Sequence, residues 1–525
     1  MRPVKLEPVA RGVSCEAIRQ HDRIVDRLED ASAAPPGSCE RLYLPEDERQ
    51  ASLCLAALHR EGHPVLFQAA RTSLTGGAIP HGEAIVSIER MNSIGPINEN
   101  GDEATVRVGP GVRLRDLQRT LAARGWQYPP TPTYLEAMVG GVVSTNAGGP
   151  ASFRYGVTRD WVLGLHVVTA DGRRLEVERG QFVASTGESF PWEGTVRLPR
   201  PEHRLPSLKK ITAGYHSAPQ LDLVDLFVGA EGTLGLITEA TLRLQRLPAG
   251  RIGGWVFLAD DRTALAATGE LRCLPVTAAL SIRSVEFIDR DCLRLLREDG
   301  IDRKLRIELP AETGAAIYVV AETDRSWTDT ELMDLLTDGT DVGQFLQLLV
   351  RYGDLDNVYL ATDADPGRFE ELVALRESVP HAVFERVRRT RLEVPEVQKL
   401  GGDTIVPFER LNEFMVGCRE ALARHEVVGA IWGHVSDGNL HPNVIAQSAD
   451  EMKRGADFQL EIASLAQRLG GAPLAEHGVG RNVLKQELLR RFVGPEAIDR
   501  MWEIKRVLDP TLRIAPGVLL PPNND

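Results

Sequence analysis

The sequence predicts an α+β protein built from two or three structural units. Its 525 residues exceed the length at which a single hydrophobic core usually stops growing. Strands and helices are closely mixed in the first half, whereas strands alternate with long helices from Trp255 to about Arg424. The stretch Pro248-Ala249-Gly250 is typical of a boundary between these two regions.

Short apolar runs and two longer periodic stretches define the predicted elements. The run 114–124 carries Leu114, Leu117 and Leu121 on one face and ends at Gly125, which predicts a helix. A second helix is predicted over 457–469. Apolar runs of strand length, bounded by turn residues, predict strands at 64–68, 84–88, 105–108, 162–169 and 427–432.

The bulk composition excludes several classes of protein. A formal net charge of -13 disfavours a nucleic-acid partner, because such proteins need basic surfaces to neutralise phosphate. The six cysteines contain no C-x-x-C pair, so we expect reduced thiols and no Cys-ligated metal. No run of about 18 apolar residues is present, and residues 1–22 lack a secretory core. We therefore expect a cytoplasmic protein, with peripheral attachment at the inner membrane as an alternative.

Three glycine-rich segments stand out in the first half of the chain. Glycine allows backbone amides to approach a ligand closely, so glycine mixed with Ser and Thr is typical of anion-binding loops. Neither the G-x-G-x-x-G fingerprint nor the G-x-x-x-x-G-K-[ST] loop is present, which disfavours a Rossmann site and a P-loop hydrolase. The segments are 71–78, 139–150 and 226–235.

A group of histidines and one glutamate predicts a metal-assisted site near the end of the chain. His434 and His441 flank a turn, so a hairpin would bring both imidazoles to one side. Glu476 supplies a carboxylate oxygen from a separate segment, and His477 beside it is a candidate base. Two imidazoles and one carboxylate are typical ligands of catalytic zinc and also suit manganese, iron or cobalt.

The three glycine-rich segments, in this order and spacing, resemble the FAD-binding domain of the vanillyl-alcohol oxidase and p-cresol methylhydroxylase superfamily. The resemblance covers about 40–247 and implies that the first loop wraps the FAD pyrophosphate. It also implies that the second loop lines the pyrophosphate and the isoalloxazine, and that the third packs by the adenosine half. Many relatives bind the flavin covalently through a histidine in the first loop, where this chain has Ser73-Leu74, so we expect noncovalent FAD. The implied FAD residues are Arg71, Thr72, Ser73, Leu74, Thr75, Gly76, Gly77, Gly140, Gly141, Ser144, Thr145, Asn146, Gly148, Gly149, Glu231, Gly232, Gly235 and Ile237.

The histidine segment and Glu476-His477-Gly478 look like the C-terminal motifs of the FAD-linked oxidases, which include D-2-hydroxyglutarate dehydrogenase, D-lactate dehydrogenase and the glycolate oxidase flavin subunit. The resemblance implies that His434, His441 and Glu476 bind a divalent metal, zinc or manganese. It also implies that Asn443 contacts the substrate and that His477 is the general base. The chain departs from this family at Ser436, where glycine is usual, and at Ala515, where asparagine is usual.

Two cations are candidates for binding a substrate carboxylate. Arg376 matches the position of a substrate arginine in the family, and its planar guanidinium suits bidentate recognition. Lys399 is the second candidate. The resemblance therefore implies oxidation of a D-2-hydroxy acid to the 2-oxo acid, in which metal and base activate the hydroxyl and the flavin takes the hydride.

The architecture that this resemblance implies has three parts. A two-part FAD-binding domain of the p-cresol methylhydroxylase type would cover 1–247, with its core at 40–247. An α+β substrate or cap domain with an antiparallel sheet would cover 248–475. Residues 476–525 would complete the flavin site.

Three other readings of the sequence keep the fold and change the function. One is a non-redox FAD transferase of the alkyl-dihydroxyacetonephosphate synthase type, because a fold alone does not fix chemistry. An aromatic-alcohol oxidase and a non-catalytic FAD-binding subunit are the others. No iron–sulfur module is present in the sequence, so we expect a separate electron acceptor: a quinone, a cytochrome, an electron-transfer flavoprotein, oxygen or a partner subunit. A homodimer is a further expectation.

Overall fold

A computed structural model describes residues 3–521 of the chain. The chain divides into two compact units, and unit 2 interrupts unit 1 in sequence. Unit 1 comprises Met1–Gly149, Val157–Arg246 and Leu474–Asp525, and unit 2 comprises Pro150–Gly156 and Leu247–Pro473. The domain boundaries predicted from the sequence lie at 247 and 475. The sequence-based division also assigns the short segment Pro150–Gly156 to the first domain, whereas in the structure this segment belongs to unit 2.

Unit 1 contains a small parallel sheet beside the first glycine-rich segment. Helix Glu48–Glu61 precedes its central strands, and Asp47 caps it by accepting a hydrogen bond of 2.7 Å from the amide of Gln50. Buried Cys54, Leu55 and Leu58 of this helix belong to the same core cluster as Val65 and Val86 of the sheet. The strands lie in the order Leu42–Tyr43, Ala84–Ser87, Val65–Gln68.

The second sheet of unit 1 is antiparallel. Its central strand, Leu236–Arg246, alternates buried and exposed residues over its second half, as expected for a sheet with one solvated face. Helix Leu114–Ala122 lies where the sequence predicts it, and its three leucines are buried. The sheet order is Ile94–Asn100, Glu103–Val108, Leu236–Arg246, Val162–Val168, Arg174–Glu178, and Trp126–Gln127 also pairs with the central strand.

Smaller elements complete unit 1. Two strand pairs are formed by Val183–Ser185 with Gln220–Asp222 and by Phe190–Pro191 with Arg197–Leu198. The remaining helices are His21–Ile24, Val139–Ser144, Leu223–Phe227, Val483–Val493 and Pro495–Leu508.

The C-terminal segment of unit 1 forms hydrogen bonds with the N-terminal half of the same unit. The amide of Ala515 donates a hydrogen bond of 2.7 Å to the carbonyl of Val65 in the parallel sheet. Buried Lys505 donates to the carbonyls of Thr233 and Ile514, at 2.9 and 2.8 Å, and pairs with Asp509. Because these groups are buried, the segment is an integral part of the unit's hydrogen-bonded structure.

Unit 2 is built on one antiparallel sheet of eight strands, which confirms the predicted antiparallel sheet. The three long strands at its centre are largely buried. The strand order is Val358–Thr362, Gly250–Leu258, Ala315–Thr323, Leu280–Asp289, Gly429–His434, Asn439–Val444, Leu400–Gly401, and Thr404–Ile405 also pairs with Asn439–Val444.

Helix Pro366–Glu393 lies against this sheet. Its buried Leu372 and Leu375 belong to one core cluster with Trp255 of the sheet, and the Trp255 indole donates to the Leu372 carbonyl at 2.9 Å. The helix predicted at 457–469 begins earlier, at Ala449, because Ser448 caps it through the amide of Glu451. The helices of unit 2 are Ser152–Tyr155, Asp261–Cys273, Arg290–Glu298, Ile301–Leu305, Asp329–Leu335, Asp341–Gly353, Pro366–Glu393, Leu411–Arg424 and Ala449–Arg468.

Among residues 3–521, none of the helices combines the length and the hydropathy that crossing a bilayer requires.

Candidate active site

The first glycine-rich loop follows strand Val65–Gln68 directly. The Ser73 hydroxyl accepts hydrogen bonds from the amides of Thr75 and Gly77, at 3.2 and 3.3 Å, and so holds the loop in a tight curve. Burial, reinforced by the neighbouring Arg27 guanidinium, lowers the pKa of Arg71. A half-buried guanidinium beside loop hydroxyls and amides is a donor set that suits a phosphate group.

The second loop begins as the short helix Val139–Ser144 and continues through Asn146. The Asn146 side chain accepts from the amide of Arg159 at 2.9 Å. Gly140 is required by packing, because a Cβ atom there would lie 2.6 Å from Pro110 and 2.7 Å from Ile88. A Cβ atom at Gly149 would overlap the Thr131 carbonyl. Packing within the protein therefore explains why glycine occupies these two positions, whether or not a ligand is bound.

The third loop is joined to the second by the main chain. The Glu231 amide donates to the Ser144 carbonyl at 2.7 Å. Gly235 allows the chain to pass Val167, whose side chain would lie 2.6 Å from a Cβ atom. Ile237 is buried in strand Leu236–Arg246. The second and third loops thus form one backbone-linked unit.

Each loop contains one non-glycine residue in the left-handed backbone region. Their φ angles are 58° at Arg71, 49° at Asn146 and 51° at Glu231. This conformation costs about 1–2 kcal/mol for a residue with a Cβ atom, and such strain concentrates at ligand-binding sites. The loops therefore fit a diphosphate-containing cofactor such as FAD.

The predicted hairpin around the histidines is present in unit 2. Strands Gly429–His434 and Asn439–Val444 pair so that Trp432 faces His441 and His434 faces Asn439. Because directly paired residues share a face, His434 and His441 are diagonal neighbours on one face. Their ring centroids lie 5.4 Å apart with perpendicular planes, and both rings are buried. We call Gly429–Val444 the histidine hairpin.

Two buried charges orient His434. Glu286, on the adjacent strand, places Oε1 2.6 Å from His434 Nδ1 and Oε2 2.6 Å from Nη2 of Arg376. Burial alone would raise the pKa of Glu286, but His434 and Arg376 outweigh it and lower that pKa to about 2. In the neutral form of His434, donation of Nδ1–H to the carboxylate places the lone pair on Nε2, which is the arrangement that metal-ligating histidines use.

His441 and Asn439 lie beside a second buried carboxylate, that of Asp403. Asp403 places Oδ1 3.8 Å from His441 Nδ1 and accepts from the Asn439 side chain at 3.3 Å. The Asn443 amide nitrogen donates to the His441 carbonyl at 2.9 Å. Within residues 3–521, Asn443 Oδ1 is buried without a hydrogen-bond partner. Such an acceptor costs about 1–3 kcal/mol unless it is satisfied, which fits a donor from a ligand.

Lys399 lies at the edge of the same hairpin. A Cβ atom at Gly401 would lie 3.5 Å from Lys399 Cε and 2.9 Å from Asn443 Oδ1. The glycine therefore leaves room for both side chains.

The two remaining predicted residues, Glu476 and His477, belong to unit 1. Lys210 Nζ lies 2.8 Å from Glu476 Oε2, and the Lys210 side chain is fully buried. Glu476 Oε1 lies 3.5 Å from His477 Nε2. The buried lysine fixes one oxygen of the carboxylate, and the other faces the predicted base.

The departures at Ser436 and Ala515 have local structural consequences. Ser436 Oγ accepts from the amide of Val285 at 3.1 Å and so ties the hairpin turn to the neighbouring strand. Ala515 has φ 44°, a left-handed conformation that asparagine tolerates better than alanine does. The first departure adds a hydrogen bond, and the second adds backbone strain.

Comparison with known proteins agrees with this structure. A model of the FAD binding domain matches residues 40–178, and a model of the FAD linked oxidases, C-terminal domain, matches residues 263–519. The glycolate oxidase subunit GlcD of Bacillus subtilis is 29% identical over 90% of this chain and 86% of its own length. The D-lactate dehydrogenase of Anaerostipes hadrus is 27% identical over 86% of this chain and 84% of its own length.

Two further similarities extend the comparison. The mitochondrial D-2-hydroxyglutarate dehydrogenase of Bos taurus is 29% identical over 92% of this chain and 77% of its own length. A solved structure of alkyldihydroxyacetonephosphate synthase superposes with a TM-score of 0.55 at 13% identity, covering 92% of this chain and 76% of that one. The structural likeness shows a shared fold.

The chain therefore belongs to the FAD-linked oxidases of the vanillyl-alcohol oxidase and p-cresol methylhydroxylase superfamily. Within that superfamily it is a flavoenzyme, an FAD-linked oxidoreductase. The predicted enzyme class is confirmed at this level.

Proposed function

We propose that the protein oxidises a D-2-hydroxy acid of the lactate, glycolate or 2-hydroxyglutarate type to the 2-oxo acid. The observation that carries the proposal is the pair of histidines on one face of the histidine hairpin, with Glu286 fixing the tautomer of His434. The names of the relatives, which are hydroxy-acid oxidases and dehydrogenases, support the same substrate class. The likeness to the synthase concerns the fold alone and does not favour a non-redox transfer.

The three glycine-rich loops are the proposed FAD site. Arg71, Ser73 and Thr75 of the first loop would face the diphosphate, and the linked second and third loops would hold the rest of the cofactor without a covalent bond. FAD supplies a hydride acceptor when it is bound.

We propose His434, His441 and Glu476 as ligands of a divalent cation, zinc or manganese. Glu286 leaves Nε2 of His434 with its lone pair, and Lys210 fixes one oxygen of Glu476. A divalent cation held by such ligands lowers the pKa of a bound hydroxyl. The two imidazoles and the carboxylate are a donor set suited to zinc.

The remaining residues handle the proton and the substrate. Oxidation removes the hydroxyl proton and a hydride from the carbon that carries the hydroxyl. We assign the proton to His477 and contact with the substrate to Asn443, whose buried Oδ1 is an available acceptor. Arg376 and Lys399 are the proposed cations for the carboxylate. Arg376 donates to Glu286 through Nε and Nη2, so one edge of its guanidinium already binds a carboxylate.

The reduced flavin needs an oxidant, and we propose a separate electron acceptor or partner subunit. The relatives' names include a subunit of glycolate oxidase, which is consistent with a partner.

Anaerobic reduction of the yellow protein tests this function. The purified FAD-loaded protein is mixed with D- and L-lactate, D- and L-2-hydroxyglutarate and glycolate, and the flavin absorbance band is followed before and after chelation. We expect bleaching by a D-acid or glycolate, its loss on chelation and its return with zinc or manganese. His441→Gln abolishes it, whereas His425→Gln, a histidine paired with Glu461 outside the hairpin, preserves it.

The possible outcomes separate the parts of the proposal. Bleaching that survives complete removal of metal contradicts the metal's role. No bleaching by any acid in the metal-loaded protein contradicts the substrate class and favours the non-redox or aromatic-alcohol alternatives.

A further inference from the structure

Glu231 makes an unusual contact for a residue of a flavin-binding loop. Its Oε1 accepts from the amide of Val479 and its Oε2 from the amide of Gly480, both at 2.7 Å. Its own amide donates to the Ser144 carbonyl in the second loop. Both ends of this residue are therefore fixed, one on the flavin loops and the other on the segment that follows His477.

The segment that Glu231 binds has no room for a side chain at either of its two glycines, Gly478 and Gly480. A Cβ atom at Gly478 would lie 2.9 Å from Glu231 Oε1, and one at Gly480 would overlap Thr75 in the first flavin loop. The next amide, that of Arg481, donates to the Thr75 carbonyl at 2.9 Å. Residues 478–481 therefore lie between the first and third flavin loops and take their shape from both.

The opposite side of the same segment is also held. The Gly478 amide donates to the Thr212 hydroxyl at 3.2 Å, and the Thr212 amide donates to the Leu474 carbonyl at 3.1 Å. Glu476 and His477 lie between these two attachments. A displacement of the flavin loops therefore changes the position of both side chains.

We propose that Glu231 is a positioning residue that couples flavin binding to the placement of Glu476 and His477. The inference rests on the proposed metal role of Glu476. The two charge-assisted hydrogen bonds from the consecutive amides of Val479 and Gly480 fix the orientation of the segment relative to the Glu231 carboxylate. Burial raises the pKa of Glu231 to about 6, and the hydrogen bonds from the amides of Val479 and Gly480 oppose that rise because they favour the charged carboxylate.

Coupling of this kind is measurable as a binding cycle. If FAD binding places Glu476 for the metal, then zinc must tighten FAD binding by the same factor by which FAD tightens zinc binding. The affinity of the flavin-free protein for FAD is measured by flavin fluorescence, with zinc and with a chelator. We expect zinc to tighten FAD binding by about 5- to 150-fold, the usual range for coupled sites.

Glu231→Gln tests the residue itself. The amide side chain keeps the size of Glu231 but turns one acceptor into a donor facing a backbone N–H, so the coupling factor falls close to 1. Zinc affinity of the FAD-loaded variant, measured by competition with a chromophoric chelator, falls by about 10- to 100-fold, as for other residues that orient a ligand. Glu239→Gln is the matched control: Glu239 belongs to the same unit, forms partly exposed ion pairs and leaves the coupling unchanged.

A second variant covers the case in which Glu231→Gln does not fold. Thr212→Val removes the acceptor of the Gly478 amide on the other side of the segment with little change of shape, and it also lowers the coupling factor. If the wild type binds zinc but its coupling factor is 1, the Glu231 inference alone is overturned. The same holds if the coupling factor of the variants equals that of the wild type. Failure of the wild type to bind zinc overturns the proposed metal site together with this inference. Neither measurement depends on the identity of the hydroxy acid.

Discussion

The three glycine-rich loops of unit 1 and the histidine hairpin of unit 2 are stabilised in different ways. In the glycine-rich loops the stabilising features belong to the main chain: Arg71, Asn146 and Glu231 adopt left-handed conformations, and a backbone hydrogen bond joins the second and third loops. The hairpin is regular antiparallel backbone, and buried charges on other elements orient its side chains. The first region is therefore sensitive to a single added methyl group, and the second to the loss of a single charge.

Removal of the arginine beside Glu286 is the strongest test of the hairpin side of this comparison. Arg376→Met leaves a buried carboxylate without its guanidinium, and breaking a buried pair in this way costs about 3–5 kcal/mol. We expect that loss in the free energy of unfolding, measured by urea titration. Arg388→Met on the same helix removes an exposed pair with Glu385 and changes stability by less than about 1 kcal/mol. Equal effects of the two variants would contradict the role of burial.

An added methyl group tests the flavin side. Gly480 has φ 58°, and alanine there combines backbone strain with overlap of Thr75. The two effects together cost about 2–5 kcal/mol. Gly101→Ala provides the control, because Gly101 has φ 62° with no atom within 4 Å of its Cβ position and so measures backbone strain alone. Thermal unfolding and FAD content are the measurements, and similar losses in both variants would show that packing against Thr75 is unimportant.

Ser436 refines the comparison, because it adds a hydrogen bond to the hairpin where relatives usually have glycine. Ser436→Ala leaves the buried amide of Val285 without its acceptor, which costs about 1–3 kcal/mol. The loss is measured by urea titration. Hydrogen exchange at Val285 identifies the cause, since its protection falls if the hydroxyl is the acceptor and stays constant if it is not.

The smallest expected effect is a pH dependence in unit 1, away from the flavin loops. The hydrogen bond that His166 Nδ1 donates to the Glu48 carboxylate raises the pKa of His166. The stabilisation is therefore complete below the ordinary histidine pKa of about 6.5 and is lost as pH rises through the higher folded value. The pair is partly exposed, so we expect less than about 1 kcal/mol. His166→Gln removes this dependence in unfolding titrations from pH 6 to 8, and Glu48→Gln has the same effect. A dependence unchanged in both variants contradicts this assignment.

For the glycine-rich loops and the histidine hairpin, the sequence predicts the backbone better than the long-range contacts that orient the side chains of the site. Glycine spacing and apolar runs reveal the loops and the hairpin, because turns and strands have local sequence signals. Glu286 was missed, since it lies 148 residues from His434 and is one of three charged residues in strand Leu280–Asp289. A charged residue inside a buried strand is a visible signal, but its partner depends on the strand order.

Lys210 and Asp403 were missed for the same reason. Lys210 is separated from Glu476 by 266 residues, and no local pattern distinguishes it from the neighbouring Lys209. Asp403 is not among the site residues that the sequence predicts, whereas the structure places it beside His441. Long-range ion pairs of this kind follow from topology, which a single sequence does not define.

The interruption of unit 1 by unit 2 has a consequence for how the protein is made. The segment that bonds to Val65 and Thr233 is translated only after the whole of unit 2. Ribosomes add about 5–20 residues per second, and domains fold as they emerge. Until the last helices are translated, the N-terminal half of unit 1 therefore lacks the C-terminal contacts to its parallel sheet and to its third glycine-rich loop. We therefore expect FAD to bind only after the C-terminal segment of unit 1 has been translated.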